Sequence, residues 1–577
     1  MTGHGGDRVA QVLKAHGVSC VFTLCGGHVS PILTGARAAG IRVLDTRHEA
    51  TAVFAADACG RLTDVPGVAV VTAGPGLTNT ITAVKNAQLA QSPLVLFGGA
   101  TATVLKGRGA LQDIDQFALM KPHVKAALPV KQVRQLALTV ERAFALASSG
   151  VRGPVFVECP VDLLYPEEVV REWYGVNKRG GGLAARAQRM YLRRHLARQF
   201  DSAEPKPDAR ETGESLPEVD SKKLERAAEK LRKAKRPLLI AGSQAVGTPA
   251  RVAAVAEAID RLDVPVYLSG MARGLLGEAH GLLHRHRRRD ALKEADLVIL
   301  AGVPSDFRLD YGRHIRRGCT LISANRSRSE LSLNRKPTLG FLTDPGAFLE
   351  ALSEKVVQEH SARAAWRTEL DERETQREKE IVDGLAESGE MANPVAVCQG
   401  VSDALTDDAI VVADGGDFVG TASYIVRPRG PLQWLDPGAF GTLGVGAGFA
   451  LGAAMSRPGA PVWILFGDGS LGYSLAEFDT FRRHNVPVIA VVGNDGCWSQ
   501  IARDQVKILN DDTAVMLERS DYHRVAGGFG VSGLLIEDDE DIGSMLAQAR
   551  DIAAGGHAVL VNAQLRRSSF REGSLSI

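Results

Sequence analysis

Residues 466–497 read FGDGSLGYSLAEFDTFRRHNVPVIAVVGNDGC, and the fold is decided by how this stretch is parsed. The apolar run Val462–Phe466 has the length and composition of a buried strand, and it stops at Gly467-Asp468-Gly469-Ser470. A helical pattern follows through Leu475, Phe478 and Phe481, and a second apolar run, Val486–Val492, ends at Gly493-Asn494-Asp495-Gly496. This is a βαβ unit, and its two strand ends deliver Asp468 and Asp495, 27 positions apart. Parallel strands end on one sheet edge, so the two carboxylates can meet at one hard cation. A Gly-rich turn beside a helix N-terminus leaves backbone N–H groups free for phosphate oxygens. A metal with a diphosphate is the natural ligand.

The same grammar runs through the chain. In residues 1–175, Val18–Leu24 leads into Cys25-Gly26-Gly27-His28, and Ile41–Leu44 into Asp45-Thr46-Arg47-His48-Glu49. Val68–Thr72 leads into Gly74-Pro75-Gly76, Leu94–Phe97 into Gly98-Gly99, and Val155–Glu158 into Cys159-Pro160. Strands that end in Gly-rich turns and feed helices predict a doubly wound parallel sheet, with ligands at the strands' carboxyl ends. Residues 221–355 form a second such block, with strands at Pro237–Ala241, Val264–Leu268, Leu297–Ala301 and Thr320–Ser323. Residues 391–565 form the third, which holds the metal motif. The predicted fold class is therefore α/β, three doubly wound parallel-sheet domains. Residues 176–220 and 356–390 read as linkers, the second containing a Glu- and Arg-rich helix, and 566–577 as a tail. Within the first linker, Leu183–Phe200 predicts a helix carrying five arginines, either a solvated interdomain helix or a membrane-surface or partner contact. The run Arg285–Arg289 is either a solvated face or a phosphate contact.

Composition excludes several classes. A net charge of +1, from 68 basic and 67 acidic residues, gives no global argument for nucleic acid or membrane binding. Seven scattered cysteines without a CxxC pair point to a reducing compartment and no structural zinc. The start, MTGHGGDRVAQVL, lacks a signal-peptide pattern, and the apolar stretch Gly441–Ala454 is too short to span a bilayer. A cytoplasmic protein is expected.

Gly467-Asp468-Gly469 followed by Asn494-Asp495 closely resembles the thiamine diphosphate motif, which ends in Asn-Asn where this chain has Asn-Asp. The resemblance implies Mg²⁺ held by Asp468, Asp495 and the carbonyl of Cys497, with Asn494 as the substitute ligand. The family takes the carboxylate that shifts the cofactor's aminopyrimidine to its imino form from an Arg-His-Glu strand end, which nominates Glu49. It takes the apolar wedge that folds the cofactor from a segment like Gly441-Thr442-Leu443-Gly444, which nominates Leu443. Further cofactor contacts implied are Gly416, Asp417, Phe418, Gly469, Ser470 and Trp498. The chain thus resembles the superfamily over nearly its whole length, as pyrimidine-binding, central and diphosphate-binding domains. In such enzymes the first domain of one subunit faces the third of another, so a homodimer or homotetramer is implied.

The segments Phe22–His28, Asp45–Glu49, Thr72–Thr80 and Trp434–Gly444 look most like the acetolactate-synthase-like 2-hydroxyacyl-CoA lyases. Met271–Leu276 is similar to a turn of oxalyl-CoA decarboxylases and acyl-CoA lyases. The resemblance implies cleavage of a 2-hydroxyacyl-CoA to an aldehyde and formyl-CoA, with the reverse condensation on carbonyl compounds. The Gly-Gly-His28 turn resembles benzaldehyde lyase, whose His and Gln touch the substrate oxygen and match His28 and Gln112 here. The adenine nucleotide of CoA, or a separate ADP, is expected near Arg273, Arg288, Asn325 and Arg152. Two alternatives stand: a 2-oxoacid enzyme such as an FAD-carrying acetolactate synthase or a decarboxylase, and a catalytically silent member of the fold.

Overall fold

The computed structural model describes residues 4–180, 182–201, 215–356, 360–385 and 389–572. The polar stretch expected from Glu204 to Glu218 and the final tail therefore lie partly outside the described residues.

Three all-parallel sheets carry the chain. The first contains β1 (Cys20–Leu24), β2 (Arg42–Asp45), β3 (Gly67–Val71), β4 (Leu94–Ala100), β5 (Ala126–Pro129) and β6 (Pro154–Pro160), in the order β2-β1-β3-β4-β6-β5. The second contains β7 (Pro237–Ala241), β8 (Val266–Leu268), β9 (Leu297–Ala301), β10 (Thr320–Asn325) and β11 (Leu339–Leu342), ordered β11-β10-β9-β7-β8. The third contains β12 (Ile410–Asp414), β13 (Trp434–Leu435), β14 (Val462–Gly467), β15 (Ile489–Asn494), β16 (Ser532–Ile536) and β17 (Val559–Gln564), ordered β13-β12-β14-β15-β17-β16. The first and third orders are the same permutation. In each, the direction of winding reverses between the first strand and the third, β1/β3 and β12/β14, which opens a crevice at the carboxyl edge.

The expected α/β class is what the chain adopts. Strands β3, β4, β6, β7, β9, β12, β14 and β15 are buried along their whole length, because helices cover both faces of a parallel sheet. Several boundaries move by two or three residues, among them that of the strand expected at Val486–Val492, which begins at Ile489. Asn485 takes a left-handed conformation (φ 51°) that ends the preceding helix, and Pro487 has no N–H to donate to a ladder.

The chain forms two compact units. The first contains the first sheet and also Gly438–Ser456, whose helix Gly446–Ser456 lies against the helix Glu49–Leu62. Backbones approach so closely there that a β-carbon at Gly452 would sit 2.2 Å from the Ala55 carbonyl. Phe449 meets Phe54 edge-on with ring centroids 5.9 Å apart. The expected linker helix runs Leu183–Gln199 in this unit and packs through Leu196 on Val170 and Val176. The second unit contains the second and third sheets and the connecting helix His360–Leu385. Among the described residues, no helix is long and apolar enough to cross a membrane.

Candidate active site

In the first unit, the side chains nominated from the sequence gather at the carboxyl edge of β1, β2 and β3. Glu49 opens the helix Glu49–Leu62 directly after β2 and is buried. There it lies in the favourable field of a helix N-terminus. Asn79 donates to Glu49 Oε2 at 2.9 Å, and a β-carbon at Gly76 would lie 3.5 Å from Glu49 Oε1. Asn79 belongs to the quoted Thr72–Thr80 turn, yet nothing in the sequence says that this amide orients the carboxylate.

His28 follows β1, and its Nδ1 lies 3.1 Å from Thr72 Oγ1 at the end of β3. With Nδ1–H donating to Thr72, Nε2 is bare and can accept a proton. Burial pushes the His28 pKa below its usual 6.5, which keeps the imidazole neutral near pH 7. Gln112 stands on the loop between β4 and β5 with φ 63°, a left-handed conformation that costs a non-glycine residue energy. A β-carbon at Gly74 would lie 2.9 Å from the Gln112 β-carbon, so only glycine lets the two backbones meet there. His28, Glu49 and Gln112 are therefore brought to one edge, joined through Thr72 and the Gly74–Gly76 turn. Leu443, half-buried, lies in the same unit on the turn before the helix Gly446–Ser456.

In the second unit, the metal motif sits at the carboxyl ends of β12, β14 and β15. Asp468 accepts from Gly469 N at 2.7 Å and Gly496 N at 2.9 Å. Asp495 accepts from Cys497 N at 3.1 Å and from the Ser499 hydroxyl. Burial, then the negative charge of Asp495, pushes the Asp468 pKa up to about 6. Burial likewise raises Asp495. Two desolvated carboxylates at one sheet edge, each raised by burial, are a pair that a divalent cation would relieve. Asn494 donates through Nδ2 to the Ser520 carbonyl at 3.0 Å and to Asn562 Oδ1 at 3.2 Å, while its Oδ1 is buried and without a hydrogen-bond partner among the described residues. Cys497 is buried beside Asp495 and pairs across to Met516 in a short bridge.

The nominated phosphate turn is built around glycine. Gly416 (φ 90°) and Gly467 face each other across the β12/β14 crevice, with the Ser470 hydroxyl donating to the carbonyls of Asp414 and Gly467. The Trp498 ring lies over Gly469 and the Phe418 ring over Gly493, so neither glycine has room for a side chain. Asp417 has its carboxylate engaged by Arg503 of the helix Ser499–Leu509. Tyr522 was not nominated from the sequence, but its phenol pKa is raised by burial and then by the charge of Asp468. No spacing rule points to that residue.

The second unit also holds a cavity of about 930 Å³ at the carboxyl end of β8, lined by eight arginines against three carboxylates. Arg273 and Arg288, nominated for a nucleotide, both line it, as do Arg285, Arg308 and Arg571. Arg273 donates to the Ser423 carbonyl at 2.6 Å and stacks over Trp434, and Arg288 donates to the Arg308 carbonyl at 2.7 Å. Burial, and then Arg427, pushes Arg285 down to about 10. Cations this crowded favour an anionic ligand. The other two nominated residues are not among those lining it. Asn325 is fully buried and accepts from Gln244 Nε2 at 3.0 Å, while Gln244 fills the β7/β9 switch point against Gly302. Arg152 precedes β6 in the first unit, at the sheet edge opposite His28 and Glu49.

Comparison with known proteins agrees with this geometry. The thiamine pyrophosphate enzyme N-terminal TPP-binding domain matches residues 3–119, the central domain 224–352, and the C-terminal TPP-binding domain 414–563. The chain is also 50% identical over 581 residues to 2-hydroxyacyl-CoA lyase 2 of Danio rerio, covering 100% of this chain and 93% of that one. The chain belongs to the thiamine pyrophosphate enzymes. This family member is 49% identical over 582 residues to 2-hydroxyacyl-CoA lyase 2 of Homo sapiens, covering 100% and 92% of the two chains. It is 36% identical over 497 residues to the acetolactate synthase large subunit IlvG of Mycobacterium tuberculosis, covering 86% and 84%. As a thiamine pyrophosphate enzyme it carries its TPP-binding domains at the two ends, the regions that hold Glu49 and Asp468.

Proposed function

We propose that this enzyme is a carbon–carbon lyase that cleaves a 2-hydroxyacyl-CoA to an aldehyde and formyl-CoA, and that the same site runs the reverse condensation. The observation that carries this reading is half identity along the whole chain to proteins named 2-hydroxyacyl-CoA lyase 2. Bound thiamine diphosphate supplies the nucleophilic carbon and the electron sink that breaking a bond beside a thioester requires. Asp468, Asp495 and the Cys497 carbonyl would hold Mg²⁺, and the turns at Gly416 and Gly469 would take the diphosphate. Glu49, oriented by Asn79, holds the proton that sets the aminopyrimidine tautomer. His28 Nε2 takes the substrate hydroxyl proton as the C1–C2 bond breaks, with Gln112 orienting that oxygen. The test is incubation with a 2-hydroxyacyl-CoA, thiamine diphosphate and Mg²⁺. Aldehyde and formyl-CoA should appear in equal amounts, and release of CO₂ instead would contradict the assignment.

His28→Ala should cut turnover about 10²–10⁴-fold, the usual share of general acid–base catalysis, with little change in KM. Because burial lowers the His28 pKa, the neutral, proton-accepting form persists as pH falls to 6.5 and is lost only below that. The acid limb of kcat should therefore lie below 6.5 and disappear in His28→Ala. An unchanged limb would assign the proton acceptor elsewhere.

The basic cavity suits the adenine nucleotide of CoA, or a separate ADP, through guanidinium–phosphate pairing. Arg288→Met should raise KM for the CoA thioester by about tenfold, some 1.4 kcal/mol, and leave kcat nearly unchanged. ADP should raise the melting temperature of wild type more than that of the variant. The self-association we propose, as homodimer or homotetramer, is supported by the helix Ser499–Leu509, which buries none of its residues and exposes Ile508 at 72% and Leu509 at 68%. A cytoplasmic setting is supported by seven free cysteines.

A further inference from the structure

Glu158 lies at the carboxyl end of β6, on the same sheet edge as His28 and Glu49, and the chemistry above does not use it. Its side chain is 4% exposed. Two groups reach it, from opposite ends of one loop. Lys106 Nζ donates to Oε2 at 2.7 Å, and Gln116 Nε2 donates to Oε1 at 3.2 Å and also to the Gly99 carbonyl at 3.0 Å. Among the described residues, Lys106 is the only cation paired with this carboxylate. Between the two attachment points the chain makes only turns, and it exposes Leu111 at 83%. Yet this loop holds Gln112 at φ 63°, pressed on Gly74. A strained residue on a loop keeps its conformation only when its surroundings over-determine it. One buried carboxylate gripping both ends of the loop supplies that constraint.

We propose that Glu158 and Lys106 are positioning residues that clamp the 106–116 loop and so set Gln112 against the substrate oxygen. This rests on the lyase reading for the role of Gln112, but the clamp itself does not. Removing Lys106 leaves a buried carboxylate without its counter-charge, so the loop's first attachment is lost while the second, through Gln116, is weakened. Misplacement of a positioning group by about 1 Å costs catalysis heavily, and the loss falls on turnover.

The test uses Lys106→Met, a change at a half-exposed residue on a loop, so folding is retained. Two readouts are taken on the full-length enzyme. Amide hydrogen exchange at Arg108, Asp113 and Gln116, whose N–H groups bond to carbonyls in or next to the loop, should accelerate in Lys106→Met and return towards wild type in Lys106→Arg. Unchanged exchange overturns the clamp, whatever the enzyme's substrate. With a 2-hydroxyacyl-CoA, Lys106→Met should lower kcat about 10–100-fold with KM and exchange of the cofactor C2 proton nearly unchanged. The double variant Lys106→Met/Gln112→Ala should be no slower than Gln112→Ala alone, because Lys106 acts through Gln112. Losses that multiply instead overturn that role. Should wild type fail to cleave the thioester while loop exchange still responds, the lyase reading falls and the clamp stands.

Discussion

Glu49→Gln is expected to keep thiamine diphosphate bound yet slow exchange of its C2 proton by about 10²–10⁴-fold. Gln is nearly isosteric and can still accept from Asn79, whose Nδ2 lies 2.9 Å from Glu49 Oε2. Packing around the buried side chain is therefore preserved, and the change removes only a group able to share a proton with the aminopyrimidine. Binding followed by fluorescence quenching or calorimetry should change little, since in the proposed site the second unit's own turns would hold the diphosphate end. Exchange followed by NMR in deuterated water separates the two effects. Exchange at the wild-type rate would remove Glu49 from the chemistry.

Asp468→Asn should have opposite effects on apo and loaded protein. In the apo protein, Asp468 is buried with Asp495 as its facing charge and its pKa is pushed up to about 6. A carboxyl that holds its proton more tightly folded than unfolded is a burden once it ionises. That burden is fully present above about 6 and fades as pH falls towards the unfolded value near about 4. At pH 7.5 the apo variant should therefore be more stable than wild type by roughly 1–3 kcal/mol, and the gain should shrink on acidification. With thiamine diphosphate and Mg²⁺ the order reverses. Wild type gains stability from the ligand by mass action, whereas the variant, short of one hard anionic ligand, gains little. Thermal melts with and without Mg²⁺ read both effects. An apo variant less stable than wild type, together with an intact Mg²⁺ response, would place the ion elsewhere.

The parallel sheets were legible because both their faces are buried, so central strands appear as unbroken apolar runs. Val462–Phe466 and Leu297–Ala301 are cases where run and strand coincide or nearly so. Edge strands escape this rule. Ala126–Pro129 and Ser532–Ile536 are only partly buried and contain proline or glycine, so neither carries a continuous apolar signal. Candidate residues at strand ends, such as His28, Glu49 and Asp468, could be nominated because turn and strand together mark the sheet edge. Those that act through tertiary contact could not. Asn79 reaches Glu49 across 30 positions and Glu158 reaches Lys106 across 52. The left-handed backbone of Gln112 has no local sequence cause, because it is imposed from outside the loop. The filled β7/β9 switch point is a similar case: Asn325 was expected near a nucleotide, but it is buried and bonded to Gln244, which occupies the space beside Gly302. The nucleotide-sized space lies instead beside the Arg285–Arg289 run, whose sequence alone allowed a solvated face.

The reading of the site turns on whether the substrate brings a hydroxyl or a carboxylate to the edge shared by His28 and Glu49. The direct measurement gives wild-type enzyme, loaded with thiamine diphosphate and Mg²⁺, a 2-hydroxyacyl-CoA and pyruvate in parallel, and follows aldehyde, formyl-CoA and CO₂. Aldehyde and formyl-CoA from the thioester, with pyruvate left almost untouched, is the expected result. Brisk consumption of pyruvate with CO₂ release, and an intact 2-hydroxyacyl-CoA, would contradict it.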